Sequence, residues 1–163
     1  MNYGAIKNLD IANGPGIRVS LFVSGCRNHC KGCFQPETWD FKYGKEFDDD
    51  AFYSLIEMLR SEHIAGLSIL GGDPFEPENL VTVTNLCKMA KDIFPNKNIW
   101  VWTGYTYEDI KGNDIFNYID VLVDGRFEEE HKDLSLAFRG SSNQRIIDIQ
   151  KSKECGCAVK AEF

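Results

Sequence analysis

Apolar residues follow a strand pattern in several short stretches of the chain. Every second position from Ile17 to Val23 is apolar, as expected for a strand that buries one face. Shorter apolar runs, bounded by glycine and polar residues, predict four more strands, at residues 67–70, 99–102, 121–123 and 145–149.

Between these runs, apolar residues recur at helical spacing. Residues 52–59 predict a helix whose start is marked by three aspartates at positions 48–50, because negative charge favours a helix N-terminus. Residues 80–90 predict a second helix. Residues 107–118 predict a third, although Gly112 interrupts it.

The order of these elements predicts the fold class. Strands that alternate with helices form βαβ units, so we expect an α/β protein with a mainly parallel sheet. A complete eight-stranded barrel needs about 250 residues, and this chain has 163. We therefore predict an incomplete, open (β/α) barrel. No repeat or linker divides the chain, so residues 1–163 are predicted to form a single domain.

A polar or glycine-rich segment follows each of the first four predicted strands. Because the carboxyl ends of parallel strands lie at the same edge of a sheet, we expect these segments to meet on one rim. They are the cysteine loop (residues 26–33), Gly71-Gly72-Asp73-Pro74, Thr103-Gly104-Tyr105 and Asp124-Gly125-Arg126.

Composition limits the partners and the compartment. The formal net charge is −7, and such a surface repels phosphate backbones, so we expect neither nucleic acid nor an anionic membrane as a partner. The segment from Met1 to Asp10 lacks the pattern of a secretory signal, and no apolar run approaches the roughly 18 residues of a membrane span. These features predict a cytoplasmic protein.

The cysteine loop carries the clearest chemical signal. Cys26, Cys30 and Cys33 form a Cys-x3-Cys-x2-Cys array, and thiolates are the usual ligands of iron–sulfur clusters. Three cysteines can hold three irons of a [4Fe–4S] cube and leave the fourth iron open for a substrate or cofactor. Gly25 and Gly32 would let the backbone fold tightly around such a core.

Two other interpretations of the cysteines remain open at this stage. A structural zinc site would need a fourth ligand, such as His29 or the distant Cys87, although its usual spacing is not present. Cys155 and Cys157 could join a second metal site, but no further ligand cluster is visible, so we predict free thiols on a mobile tail.

The array after a first strand resembles the signature of the radical S-adenosylmethionine superfamily. This resemblance implies that the open iron chelates the amino and carboxylate groups of S-adenosylmethionine. Gly71, Gly72 and Asp73 are similar to the superfamily's glycine-glycine-acid motif, in which the acid accepts from the amino group. The backbone from Gly32 through Cys33 to Phe34 is expected to contact the adenine. From their rim positions, Thr103 and Asp124 are further predicted cofactor-binding residues.

A more specific resemblance extends from about Asn13 to Ile149. The segments carrying it are residues 13–18, 103–105, 120–127 and 139–145. They resemble the activating proteins of anaerobic (class III) ribonucleotide reductase. The late polar segment contains Asn143 and Gln144 together with Arg139 and Arg145. These side chains could bind a carboxylate or a partner's backbone, or form hydrogen-bonded turns within a loop.

This resemblance implies a glycyl-radical-enzyme activase. Reductive cleavage of S-adenosylmethionine at a [4Fe–4S] cluster would give a 5′-deoxyadenosyl radical, which removes a hydrogen from a glycine of the large reductase subunit. The expected electron donor is a flavodoxin- or ferredoxin-like protein. Three alternatives stay open: activation of another glycyl radical enzyme, radical chemistry on a small molecule, and a non-enzymatic metal-binding module.

Overall fold

Seven strands form one sheet in the computed structural model, which describes all 163 residues. In chain order the strands are β1 (Asn2–Asp10), β2 (Ile17–Val23), β3 (Lys45–Glu46), β4 (Ile64–Gly71), β5 (Asn98–Trp102), β6 (Val121–Asp124) and β7 (Arg145–Asp148). The α-helices are α1 (Asp49–Met58), α2 (Pro77–Ile93), α3 (Tyr107–Ile110) and α4 (Ile149–Cys155).

The sheet has the order β3-β1-β2-β4-β5-β6-β7. Its four central strands, β2, β4, β5 and β6, are parallel to one another, whereas β1, β3 and β7 pair antiparallel at the two sides. The outermost strands β3 and β7 are not paired with each other, so the sheet is open. The predicted α/β class with an open, mainly parallel sheet is confirmed.

The alternation predicted for β2 separates two faces of the sheet. Val19, Leu21 and Val23 are fully buried in the main core, which also contains Leu55 of α1 and Leu86 of α2. The helices cover this face because their apolar stripes need an apolar surface to bury against. The acidic start of α1 was predicted correctly: the Asp48 carboxylate accepts a hydrogen bond from the Ala51 amide at 2.9 Å.

The opposite face of the sheet borders the cleft described below. Phe22, Leu70 and Trp102 come from three adjacent strands and line this cleft together. At the start of β2, the fully buried Arg18 donates to the Ser68 hydroxyl at 2.6 Å and to the Pro15 carbonyl at 3.1 Å. These bonds hold the turn before β2 against the sheet.

Three expectations need correction. The predicted helix at residues 107–118 is wrong as one element: it is split into α3 and a 3-10 turn at Asp114–Asn117. Gly112 lies between them, and the Asn113 side chain donates to the Ile110 carbonyl at 2.7 Å, which gives the backbone a local alternative to a helix. The strands β1 and β3 were not predicted, because their residues are mostly exposed and lack an apolar alternation.

The third correction concerns the end of the sequence. Cys155 and Cys157 are joined by a disulfide, and the residues after them pack on the sheet, so the prediction of free thiols on a mobile tail was wrong. None of the helices combines the length and the apolar character needed to cross a bilayer.

Candidate functional site

The four segments predicted to meet on one rim do so. They border a cleft of about 660 Å³ at the carboxyl ends of the parallel strands. Its lining includes Cys26, Cys30 and Cys33 from the cysteine loop, together with Gly71, Gly72, Asp73, Thr103, Gly104 and Gly125 from the other three segments. The topology therefore gathers residues that are about 100 positions apart in the chain.

The cysteine loop is anchored through its backbone. The Gly25 amide donates to the Thr38 carbonyl at 2.7 Å, and the Cys26 amide donates to the Trp39 carbonyl at 3.2 Å. Gly25 and Gly32 have φ angles of 100° and 75°, in the left-handed region that favours glycine. Both glycines thus serve the tight turns that the sequence predicted for this loop.

The three cluster candidates are free thiols that are partly exposed at the cleft. Burial, with smaller contributions from the carboxylates of Asp73 and Glu76, raises the pKa of Cys26 to about 11. Burial also raises the pKa of Cys30, and the neighbouring Cys33 adds to that shift. Metal ligation requires the thiolate form, so a metal that binds here must displace these protons.

Asp73 joins two of the rim segments. Its carboxylate is 1% exposed and accepts hydrogen bonds from the Thr103 hydroxyl at 2.8 Å, the Gly104 amide at 2.9 Å and the Phe75 amide at 2.9 Å. Burial raises the pKa of Asp73 to about 6 in spite of these donors. The carboxylate is therefore engaged within the protein, and its role as an acceptor for an ammonium group stays a prediction.

Asn28 connects the cysteine loop to the remaining segments. Its side-chain amide donates to Asp73 Oδ2 at 3.0 Å, and its side-chain carbonyl accepts from Arg126 Nε at 3.1 Å. Gly104 lies so close that an added Cβ would collide with the Asn28 amide. Sequence analysis did not identify Asn28, because no pattern in the chain links it to Asp73 or Arg126.

A buried carboxylate holds the start of the cysteine loop. Glu76, whose side chain is fully buried, accepts from the Arg27 backbone amide at 2.7 Å and from the Arg27 guanidinium at 2.6 Å. The guanidinium also pairs with Glu78 and lies over the Phe41 ring, 4.4 Å from its centroid. The role of Glu76 was also not predicted from the sequence, where an acid just before a helix looks like an ordinary helix-start residue.

Aromatic side chains provide much of the apolar surface of the cleft. Phe34 is 58% exposed, so it does not fill the core; its ring packs 5.0 Å from that of Phe127, and the Lys132 ammonium lies 5.3 Å from its centroid. Trp102 and Phe138 line the same cleft, and the Trp102 indole donates to the Phe138 carbonyl at 2.8 Å. A flat apolar group has several surfaces here against which it can pack.

Asp124 lies outside the cleft. It is buried beside a second, polar pocket, where its carboxylate accepts from the Tyr107 amide at 2.7 Å and from Arg145 at 2.5 and 2.9 Å. Arg145 also pairs with the exposed Glu108 at 2.7 Å. These contacts fix the end of β6, and the predicted contact of Asp124 with a cofactor stays a prediction.

The late polar segment forms hydrogen-bonded turns that pack on the last rim segment. Gln144 accepts from the Gly140 amide at 2.9 Å and donates to the Gly125 carbonyl at 3.0 Å. Asn143 donates to the Arg126 carbonyl at 2.8 Å. Of the two uses considered for these side chains, the structure shows the one within the loop.

The residues considered as a fourth ligand are engaged elsewhere. The His29 ring stacks on Trp39 with 4.4 Å between centroids, and Cys87 is fully buried in the main core. No three His, Cys, Asp or Glu side chains converge as ligands of a single metal ion. A cubane is different, since each thiolate binds a different iron, and three free thiols from one loop at the cleft supply that donor set.

The open α/β sheet and its thiol loop define an iron–sulfur type of protein, and the comparisons agree. A family profile described as a 4Fe-4S single cluster domain matches residues 12–147. An anaerobic ribonucleoside-triphosphate reductase-activating protein of Enterobacteria phage T4 is 43% identical over 146 residues, which cover 90% of this chain and 93% of that protein.

Bacterial proteins of the same name give similar values. The one from Pasteurella multocida (strain Pm70) is 43% identical over 152 residues, with 90% of this chain and 96% of that protein covered. The one from Escherichia coli (strain K12) is 41% identical over 154 residues, with 92% and 100% covered. The chain belongs to the family of anaerobic ribonucleoside-triphosphate reductase-activating proteins.

Proposed function

We propose that this chain activates an anaerobic ribonucleotide reductase by radical S-adenosylmethionine chemistry, with its sheet serving as the incomplete, open barrel of that superfamily. The observation that carries the proposal is that three free thiols line one cleft, while His29 stacks on Trp39 and Cys87 is buried in the core. Cys26, Cys30 and Cys33 would hold a [4Fe–4S] cluster whose remaining iron takes S-adenosylmethionine.

Cys26, Cys30 and Cys33 would hold the cluster at the cleft. Once reduced, it would supply the electron for cleavage of S-adenosylmethionine to methionine and a 5′-deoxyadenosyl radical, which would take a hydrogen atom from a glycine of the reductase. A flavodoxin- or ferredoxin-like protein is the proposed source of the electron.

The protein's own residues would bind and orient S-adenosylmethionine. Gly71, Gly72, Asp73 and Thr103 lie on the rim next to the cysteine loop, so we assign them to the methionine portion of the cofactor. The close approach of this rim to the loop supports the assignment: the Asp73 amide donates to the Gly25 carbonyl at 2.8 Å. Any cofactor bound between the two segments would contact both.

The adenine end of S-adenosylmethionine would lie against the aromatic part of the cleft. We assign the adenine to the backbone of Gly32, Cys33 and Phe34, with the exposed Phe34 ring as a packing surface. Asp124 would act by holding the end of β6 in place, because its carboxylate is occupied by Arg145.

The open side of the cleft suits a protein substrate. A small-molecule site usually buries most of its ligand, whereas this cleft is bordered by exposed apolar residues such as Phe34 and Leu134. A glycine-bearing loop of a partner could enter here and exclude water itself. This feature favours a protein target over a metabolite.

A matched pair of cysteine variants tests the cluster assignment. After anaerobic reconstitution, Cys30→Ala should lose the [4Fe–4S] absorption and iron content, while Cys87→Ala should keep both, because Cys87 is a core residue far from the cleft surface. Stoichiometric zinc in place of iron, or full cluster content in Cys30→Ala, would contradict the proposal.

The target is tested with the reductase itself. Reconstituted protein, S-adenosylmethionine and reductant are mixed with the large subunit of an anaerobic ribonucleotide reductase, and electron paramagnetic resonance is recorded. We expect a glycyl radical signal that requires all components and is absent with Cys30→Ala. Rapid productive cleavage with a metabolite and no protein partner would instead support the small-molecule alternative.

A further inference from the structure

The disulfide between Cys155 and Cys157 lies at the end of the sheet opposite the cleft. It follows α4, which starts where β7 ends, and β7 runs antiparallel to the central strands. The Ile149 amide donates to the Asp120 carbonyl at 2.9 Å, just before β6 begins. The proposed cofactor chemistry therefore does not use these two sulfurs.

The pair forms an exposed bridge with ordinary backbone geometry. The two Cα atoms are 5.2 Å apart, within the normal range for a bridge, and both residues are exposed. Gly156 between them has a φ of 75°, which a residue with a side chain rarely adopts. Cys26, Cys30, Cys33 and Cys87 are unpaired, so this bridge is not part of a larger disulfide framework.

A purely structural role explains the bridge poorly. The stabilisation from closing a loop increases with loop length, and this bridge closes a loop of only three residues. The bridge does, however, sit where the chain turns from α4 back towards β7. Val159 follows two residues later, and its amide donates to the Ser152 hydroxyl of α4 at 2.8 Å.

The segment after the bridge, residues 158–163, packs against the sheet. The Asp148 amide donates to the Val159 carbonyl at 2.9 Å, and the Ala161 amide donates to the Ile146 carbonyl at 2.9 Å. Ala161 is buried in the second apolar cluster of the protein. This segment thus pairs antiparallel with β7 along the edge of the sheet.

The same segment reaches the back of the cleft. The Phe163 ring lies 5.5 Å from Trp100 and 5.4 Å from Phe138 between centroids. Phe138 lines the cleft and accepts the hydrogen bond from Trp102. Residues 158–163 therefore connect the bridge to the wall of the cleft through packed side chains.

We propose that Cys155 and Cys157 form a thiol–disulfide exchange site for an external dithiol, and that the closed bridge holds residues 158–163 on the sheet. A donor thiolate attacks one sulfur and forms a mixed disulfide; the donor's second thiol then breaks that bond. The donor leaves as a disulfide, and two electrons and two protons remain on the pair as two thiols.

The exchange can be followed in the complete, cluster-loaded protein. Cleavage after Lys153 and Lys160 gives a peptide, residues 154–160, that contains these two cysteines and none of the other four. Anaerobic protein is treated with a Cys-x-x-Cys protein dithiol and its NADPH-dependent reductase, or with glutathione, then alkylated and analysed by mass spectrometry. The two arms distinguish a protein dithiol from a small thiol.

We expect the protein dithiol to convert both cysteines of this peptide to the alkylated form, with one NADPH consumed per bridge, and glutathione to react more slowly. Addition of an oxidised dithiol protein should restore protection. A bridge that resists the dithiol in the folded protein, or a pair that stays fully alkylated under oxidising conditions, would overturn the exchange site.

Limited proteolysis tests the link to the following segment. Reduction should raise the rate of trypsin cleavage after Lys160 by about tenfold, from the loss of the loop constraint. Cys157→Ser should show the high rate under all conditions, and Cys87→Ser should behave like the original chain. Equal rates with and without the bridge would overturn the link. These experiments need no ribonucleotide reductase, so they are independent of the proposed function.

Discussion

Replacing Asn28 with alanine tests whether one amide holds the rim segments around the cleft. In the structure this side chain donates to Asp73 at 3.0 Å and accepts from Arg126 at 3.1 Å. The substitution removes both bonds and leaves the thiols, the glycines and the core unchanged. It therefore isolates the connection between the cysteine loop and its neighbours.

The expected magnitude follows from what remains. In the variant, the Asp73 carboxylate still accepts hydrogen bonds from the Thr103 hydroxyl and from the amides of Gly104 and Phe75, so its buried charge remains hydrogen-bonded. Arg126 can be solvated. Loss of one hydrogen bond to a buried carboxylate, with a second weaker bond, amounts to about 1–2 kcal/mol. If that energy orders the loop for binding, affinity for S-adenosylmethionine falls by about tenfold.

The assay compares Asn28→Ala with Asn113→Ala. Asn113 makes one side-chain hydrogen bond of 2.7 Å to the Ile110 carbonyl, away from the cleft, so it controls for a loss of stability alone. Calorimetric titration of the reconstituted proteins with S-adenosylmethionine and thermal unfolding are measured together. Both variants should unfold at a somewhat lower temperature, but only Asn28→Ala should bind more weakly.

A third variant sharpens the test. Asn28→Asp keeps the acceptor for Arg126 but places a second carboxylate against Asp73, so it should be more damaging than alanine. Wild-type affinity and wild-type stability in Asn28→Ala, or equal losses in the Asn113 control, would refute the idea that this amide organises the site.

Three further outcomes are expected. Burial raises the native pKa of Asp73 from 3.8 to about 6. The stabilisation of the native state by the protonated carboxyl is therefore fully present below pH 4 and is lost as pH rises through 6; it is on the order of 3 kcal/mol. The drop in melting temperature between pH 4 and 7 should accordingly be smaller in Asp73→Asn. Gly72→Ala should lower cluster occupancy in iron assays, because a Cβ there would lie 2.6 Å from the carbonyl oxygen of Gly25, which directly precedes the cysteine loop. Arg145→Ala should lower the free energy of unfolding in urea by about 2 kcal/mol by leaving buried Asp124 unpaired, whereas removal of exposed Glu108 should change it by less than about 0.5 kcal/mol.

Much of the fold could be predicted from the sequence because its periodicities are local. The alternation from Ile17 to Val23 and the helical spacing in residues 80–90 each report burial of one face, and both elements are present in the structure. The prediction failed at residues 107–118 and at β1, where burial is incomplete and side-chain hydrogen bonds or edge pairing decide the conformation.

For the candidate site, the sequence supplied the chemical groups. A thiol array within eight residues and glycine-rich segments after strands are features of the chain itself, and the parallel order of the strands was enough to predict a common rim. The same local evidence could not show that Asp73 is enclosed by Thr103 and Gly104, or that Phe34 is exposed rather than buried.

The sequence alone thus determined which residues carry thiols, carboxylates and flexible backbone, and at which strand ends they stand. Tertiary structure decided which of them touch, because contacts such as those of Asn28 with Asp73 and Arg126 join positions 45 and 98 residues apart. It also decided the pairing of Cys155 with Cys157 and the packing of the segment that follows. Hydrogen bonds and burial depend on distance in space, and no pattern along the chain encodes that distance for these residues.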